Sequence, residues 1–498
     1  MISYSSLNNS STNGGSSNRT STSSSSSHQF RSEHQNSSSS SSNTTTTTPS
    51  SSSTSGRNNK NNQRGGKSNN GKGGGRNNHH SNNNNQNLQN EELKQAGTGL
   101  HLDAWPYNLW AKLRKDMSYG QLDRFRPFQS MVCLTDGHED PTLKEGGLEL
   151  IPGFSAIAEE YFPATDRKYR DGKSFRVKSP WISSYHIRFN QPEDTDLFEL
   201  VRKVKRVPKD WKAPTSASVP SAGSSVEEYM KYVNMVVKEH DNIPYEPVKK
   251  GDFVYFDIRS PHRNSDANHM DRPRSVFYHA YSVSNKVNLK TIENLKEKRK
   301  KFEHPEDFNG KFSMEQKVMN TETDLLPLST LGKCLYNEIS YNPLLQEDSK
   351  DDAIKVILEK HSDVLTQRHI DFYHRYGYVV VENLVSNEDV TQLFKELTHY
   401  SAKCGCKLDS DSLTTSEFKK VASGFGAMVE FYYLPTQQKL RMDEKLYAST
   451  VKLLSNTWCA KSPNALKVPY KCPFASDLDP RCLWLYVDRM NYRLPDKQ

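Results

Sequence analysis

Aliphatic residues are almost missing from the first fifth of this chain of 498 residues. From Met1 to about Gln95 it is Ser, Asn, Thr and Gly, with runs such as Ser37 to Ser42 and Thr44 to Thr48. With so little apolar surface to bury, nothing offsets the entropy of ordering the chain, so residues 1–95 read as a disordered low-complexity tail. Paired cysteines are lacking too. There are seven Cys and no CxxC; the closest spacing is Cys404-Gly405-Cys406. An odd count with no zinc or disulfide spacing suits a reducing compartment. No apolar run approaches the ~20 residues a membrane helix requires. The N-terminal end has no apolar signal stretch, and Asp496-Lys497-Gln498 is not a peroxisomal tripeptide, so a cytoplasmic location is expected, with the nucleus open.

Positive charge is unevenly placed. The net charge is +8, of which residues 1–95 hold +6, nine Lys or Arg against three Glu. The remainder is nearly balanced, so charge does not mark it as a nucleic-acid binder. Within the tail, residues 57–76 carry six basic and no acidic residues. Such a segment either holds RNA through its phosphates or serves as a flexible solubilising extension. Lys296 to Lys301 similarly reads as a nuclear signal or a solvated helix face.

What is present is a strand-and-turn texture from Gly97 to about Tyr281. Phe128 to Leu134, Gly147 to Ile151, Phe253 to Phe256 and Ser275 to Tyr281 are short apolar runs between Gly, Pro and Asp. They predict a mainly β barrel or jelly roll. Residues 155–245 look like an insert, with a loop from Pro208 to Gly223 and a helix from Ser225 carrying Val226, Tyr229, Met230, Val233 and Val237 on one face. Residues 286–364 read as a linker with bridging helices, one around Ile354, Ile357 and Leu358. Then Phe372 to Gly377 predicts a helix stopped by its Gly, Tyr378 to Val381 a strand, and Ser386 to Asp389 a helix cap. Another helix is expected after Asp443, and a last strand from Cys482 to Met490.

Two His and one carboxylate on one face of a metal leave three positions for other ligands. An extended His-x-Asp supplies two of the three, because side chains two apart in a strand point the same way. Such triplets recur along the chain, so the motif alone means little. His361-Ser-Asp363 and His369-Ile-Asp371 lie in helical patterns, where residues two apart diverge by about 200°. His138-Glu-Asp140 sits in a polar turn. His101-Leu-Asp103 follows Gly97-Thr-Gly-Leu100 and precedes Trp105, Tyr107 and Trp110, aromatics that either wall a substrate pocket or belong to a core. Further on, Gly251 to Phe256 leads to His262, and Arg272-Pro-Arg274 opens the next strand. That spacing lets Arg274 point into the same cavity as His262, where its guanidinium can pair with a carboxylate.

Together these residues resemble the phytanoyl-CoA dioxygenase family: His101 and Asp103, Gly147-Leu-Glu-Leu-Ile-Pro-Gly153, Gly251 to Phe256, His262, Asn268 and Arg274 follow its pattern. The resemblance covers about 97–281 and 365–498. Phe154-Ser155 departs from the family's usual Ser-His, and the His-to-Arg interval is one residue longer, which makes Arg272 a rival to Arg274. The family's opening, a helix and a Phe-x-x-x-Gly-Tyr-Val-Val segment, stands here at Phe372 to Val385, after the iron half. The resemblance therefore implies a circular permutant in which 97–285 and 365–498 are two halves of one domain, with Pro495 and Gly97 close together. It also implies a double-stranded β-helix fold with flanking helices. His101, Asp103 and His262 would be the Fe(II) ligands and catalytic residues, and Arg274 would hold 2-oxoglutarate. With O₂, and ascorbate as an aid in vitro, such an enzyme hydroxylates an organic substrate, a small molecule or lipid, releasing succinate and CO₂. Asp103 argues against a halogenase, whose relatives have no carboxylate there. The other readings are a catalytically inactive binding module of the same fold and an RNA-associated protein acting through the basic low-complexity tail.

Overall fold

The computed structural model describes residues 95, 97–103, 128–165, 187–189, 194–215, 218–283, 286–305, 314–339, 350–422, 427–457, 480 and 483–496. Short, largely buried runs form eleven strands among these residues: β1 (His101–Leu102), β2 (Phe128–Cys133), β3 (Leu148–Leu150), β4 (Ile187–Arg188), β5 (Arg202–Lys203), β6 (Phe253–Asp257), β7 (His262–Asn264), β8 (Arg274–Val283), β9 (Tyr378–Val381), β10 (Met428–Val429) and β11 (Leu483–Arg493). They form two antiparallel sheets. One has five strands in the order β4-β1-β7-β3-β5, the other six in the order β10-β11-β8-β2-β6-β9.

The expectation of a mainly β protein needs correction. Among the described residues, more than twice as many lie in helices as in strands. The lysine-rich segment read as a linker is a helix, Lys286–Lys300. It buries Ile292, Leu295 and Arg299. So few apolar positions among so many charges left its pattern faint. The insert is also more than an excursion from the sheet. Its β4 pairs with β1 and its β5 with β3, so it supplies both edges of the five-stranded sheet. Its helix, Val226–Asp241, starts at a capping box of Ser225 and Glu228 and buries Tyr229, Val233, Val236 and Val237.

The last strand is long and apolar, and pairing accounts for it. β11 lies between β10 and β8, and its register runs from Leu483↔Val283 to Arg493↔Arg274, interrupted by an irregularity between Val487 and Met490. Beyond it the chain is clasped to the loop between β7 and β8. Asn268 N donates to Asp496 Oδ2 at 2.9 Å, and Asp496 N donates to Asn268 O at 2.7 Å. Gln95 joins from the other side, donating through Nε2 to Tyr492 O at 2.9 Å and accepting from Leu494 N at 2.6 Å. A Cβ on Gly97 would lie 2.7 Å from Asp266 Cα, so the segment before β1 runs against that same loop.

At the other edge, helix Gln367–Tyr376 ends at Gly377, whose φ of 76° is left-handed, and β9 follows directly against β6. Gly377 is required twice over. An L side chain there is strained, and a Cβ would stand 2.5 Å from Ser155 Oγ and 2.8 Å from Ser260 Oγ. We expect Gly377→Ala to destabilise the fold by about 2 kcal/mol or more, read as a lowered denaturant midpoint. A midpoint within error of the parent would show that this turn relaxes without cost.

Candidate metal centre

A His two residues before an Asp projects to the same face of an extended chain, and β1 is where this chain uses that rule. His101 and His262 are directly opposed across β1 and β7. Their rings lie 4.4 Å apart between centroids. Asp103 completes the group: its Oδ1 is 3.4 Å from His101 Nε2 and its Oδ2 3.7 Å from His262 Nε2. One ligand atom from each of the three residues lies within 4.8 Å of the others, so the group can hold a metal ion.

The backbone sets the histidine tautomers. His101 Nδ1 is 2.7 Å from Gly99 O, and His262 Nδ1 is 3.0 Å from Ser260 O. Carbonyl oxygens only accept, so each Nδ1 carries a proton, and each Nε2 is the nitrogen turned toward Asp103 and toward a metal there. His262 is buried, and Phe256 packs edge-on against it at 4.8 Å. Burial and then neighbouring His101 push its pKa below the usual imidazole value, with Asp103 pulling the other way. The neutral form is the one a metal needs.

Two residues beside the group escaped the sequence reading. Gln129 of β2 donates from its side-chain amide to Asp103 Oδ2, fixing the carboxylate. Tyr278 of β8 feels Asp103, Asn264, Asp488 and Arg489 together, and burial leads in pushing its pKa up to about 12. The signal was there for Gln129, an amide inside the apolar run Phe128 to Cys133. Tyr278 sits among other aromatics and carried none.

Arg274 opens β8 and is buried. Its Nη1 donates to Thr135 O at 3.1 Å and Thr135 Oγ1 at 3.2 Å, and its Nη2 lies 3.6 Å from Cys133 Sγ. Its Nε has no hydrogen-bond partner. Arg274 shares a face of β8 with Tyr278, four residues along. Arg272 is different. It is half exposed, 3.9 Å from Asp271, and lines a surface pocket with Asp136, Gly137, His138, Glu139 and Lys249. Asn268 is buried and donates to Arg272 O and Arg493 O, so it shapes the loop between His262 and Arg274.

The other His-x-Asp triplets stay apart from this centre. Asp140 N donates to His138 Nδ1 within an exposed turn. His369 lies in helix Gln367–Tyr376 and contacts Glu382 at 3.0 Å. His361 was expected in a helix but sits just past the end of Lys350–Lys360, 3.3 Å from Glu444. Of the Lys296 to Lys301 run, Lys296 pairs with Glu293, Lys300 with Glu297, and Arg299 is buried. Trp105, Tyr107, Trp110 and the basic segment 57–76 lie outside the described residues. No described helix is long and apolar enough to cross a membrane. No family model, curated protein or solved structure matches the chain.

Proposed function

We propose that this chain is a non-haem Fe(II) and 2-oxoglutarate-dependent dioxygenase that hydroxylates an organic substrate, of the kind the phytanoyl-CoA dioxygenase family represents. The observation that carries the reading is the group of His101, Asp103 and His262, with both Nδ1 atoms committed to carbonyls and both Nε2 atoms turned to the carboxylate. Two imidazoles and one carboxylate suit Fe(II) and leave room for a chelating co-substrate and O₂. Fe(II), with 2-oxoglutarate and O₂, would supply the oxidising chemistry, and succinate and CO₂ would leave.

The protein's part is orientation. His101 and His262 present neutral nitrogens, Asp103 an anionic oxygen that Gln129 keeps from rotating. Arg274 offers an unpartnered Nε and a buried positive charge to the far carboxylate of the 2-oxo diacid. Gly147 supports that fit: a Cβ there would come within 3.5 Å of Arg274 Nε, so its missing side chain leaves space beside the guanidinium. Two antiparallel sheets, linked where Gln129 of one reaches Asp103 beside the other, suit a double-stranded β-helix. β9 and β11 in one sheet with β2, β6 and β8 suit a permuted chain order.

The test is direct. Purified chain, incubated with Fe(II), 2-oxoglutarate and ascorbate, is expected to form succinate in an iron-dependent way. An iron-bound protein that forms none, with or without a panel of candidate substrates, would sink the reading.

A further inference from the structure

Resting on the proposed role of Arg274, we infer that Glu145 sets how strongly this site takes a dicarboxylic 2-oxo acid, by occupying part of the Arg274 field. Both residues are buried. Glu145 is held in place by its own strand bridge to Asn268 and by His138 N, which donates to its Oε2 at 2.8 Å. Its other oxygen, Oε1, stands 3.1 Å from the point where a Cβ on Gly147 would sit, and Arg274 Nε stands 3.5 Å from that same point. The two charges thus flank one small space beside Gly147.

They do not bond across it. The Arg274 Nη atoms are committed to Thr135, Ser275 and Cys133, and Nε donates to nothing. Burial works against the Arg274 charge, while Cys133 and Glu145 favour it, and the balance leaves its pKa raised. A diacid that places its far carboxylate on Arg274 brings that anion up to Glu145, itself an anion in a dry setting. Like charges at such range in a protein interior repel by enough to cost about tenfold or more in affinity. A 2-oxo acid ending in a methyl group brings no second anion and is spared. Glu145 therefore narrows the preference of the site for a diacid over a monoacid.

The experiment is calorimetric titration, without oxygen, of 2-oxoglutarate and of 2-oxopentanoate into the full-length chain loaded with Fe(II). The parent, Glu145→Gln and Arg274→Gln are compared. Glu145→Gln is expected to bind 2-oxoglutarate about tenfold tighter and 2-oxopentanoate unchanged, a selectivity shift that a merely structural role would not give. Arg274→Gln is expected to lose the advantage of the diacid. Unchanged or weaker binding of 2-oxoglutarate by Glu145→Gln, with Arg274→Gln still impaired, overturns this inference and spares the co-substrate reading. Unaltered binding by Arg274→Gln removes both. If Glu145→Gln does not fold, Glu145→Asp draws the charge back by one carbon while keeping an acceptor for His138 N. It is expected to tighten diacid binding to a smaller degree, and weakening there counts against the inference.

Discussion

Asp103→Ala is expected to lower the affinity for Fe(II), or for Co(II) as a spectroscopic stand-in, by about a hundredfold or more and to abolish succinate formation. The carboxylate is the one anion in the group, and without it two neutral imidazoles face the cation alone. The substitution removes a partly exposed side chain at the end of a two-residue strand, so the fold should survive. Gln129 loses its acceptor. Metal content after dialysis, the Co(II) absorption spectrum and a melting curve read these effects separately. Parent-like metal content and turnover would mean that His101 and His262 meet for another purpose.

Arg274→Gln should leave the metal bound and raise the 2-oxoglutarate requirement by at least tenfold. Removing one partner of a charged pair in a closed pocket costs about 2–5 kcal/mol, and Gln keeps a donor for Thr135 where Ala would leave a hole. Arg272→Gln is the matched comparison. That residue is half exposed beside Asp271, so its loss should pass unnoticed. The reverse outcome, an effect at Arg272 and none at Arg274, would move the carboxylate contact to the surface loop.

The elements that were legible in the sequence are those whose cause is local. Ser225 and Glu228 cap the insert helix, Ser386 accepts from Asp389 N, Asp443 caps helix Glu444–Ser455, and Gly377 ends its helix in a left-handed turn. Each involves groups within four residues of one another. The full extent of helix Lys286–Lys300, beyond the solvated face read at Lys296 to Lys301, was not legible because its buried face is narrow and its charges many. The edge strands β4 and β5 were missed because each has two residues. A two-residue strand carries no period; it exists only because β1 and β3 offer it unpaired backbone groups.

Sequence alone could rank His-x-Asp pairs by whether their surroundings were extended or helical, since the direction of side chains two apart depends on local backbone geometry. It also located His262 and Arg274 on either side of one turn. Tertiary structure alone decided that His262 lies opposite His101, that Gln129 reaches Asp103, and that Glu145 stands across from Arg274. It alone decided that β11 lies against β8, some two hundred residues earlier in the chain. The physical reason is common to all of these. Strand partners are chosen by which faces can be buried together once long loops close, and that free energy belongs to the whole sheet rather than to any stretch of the chain.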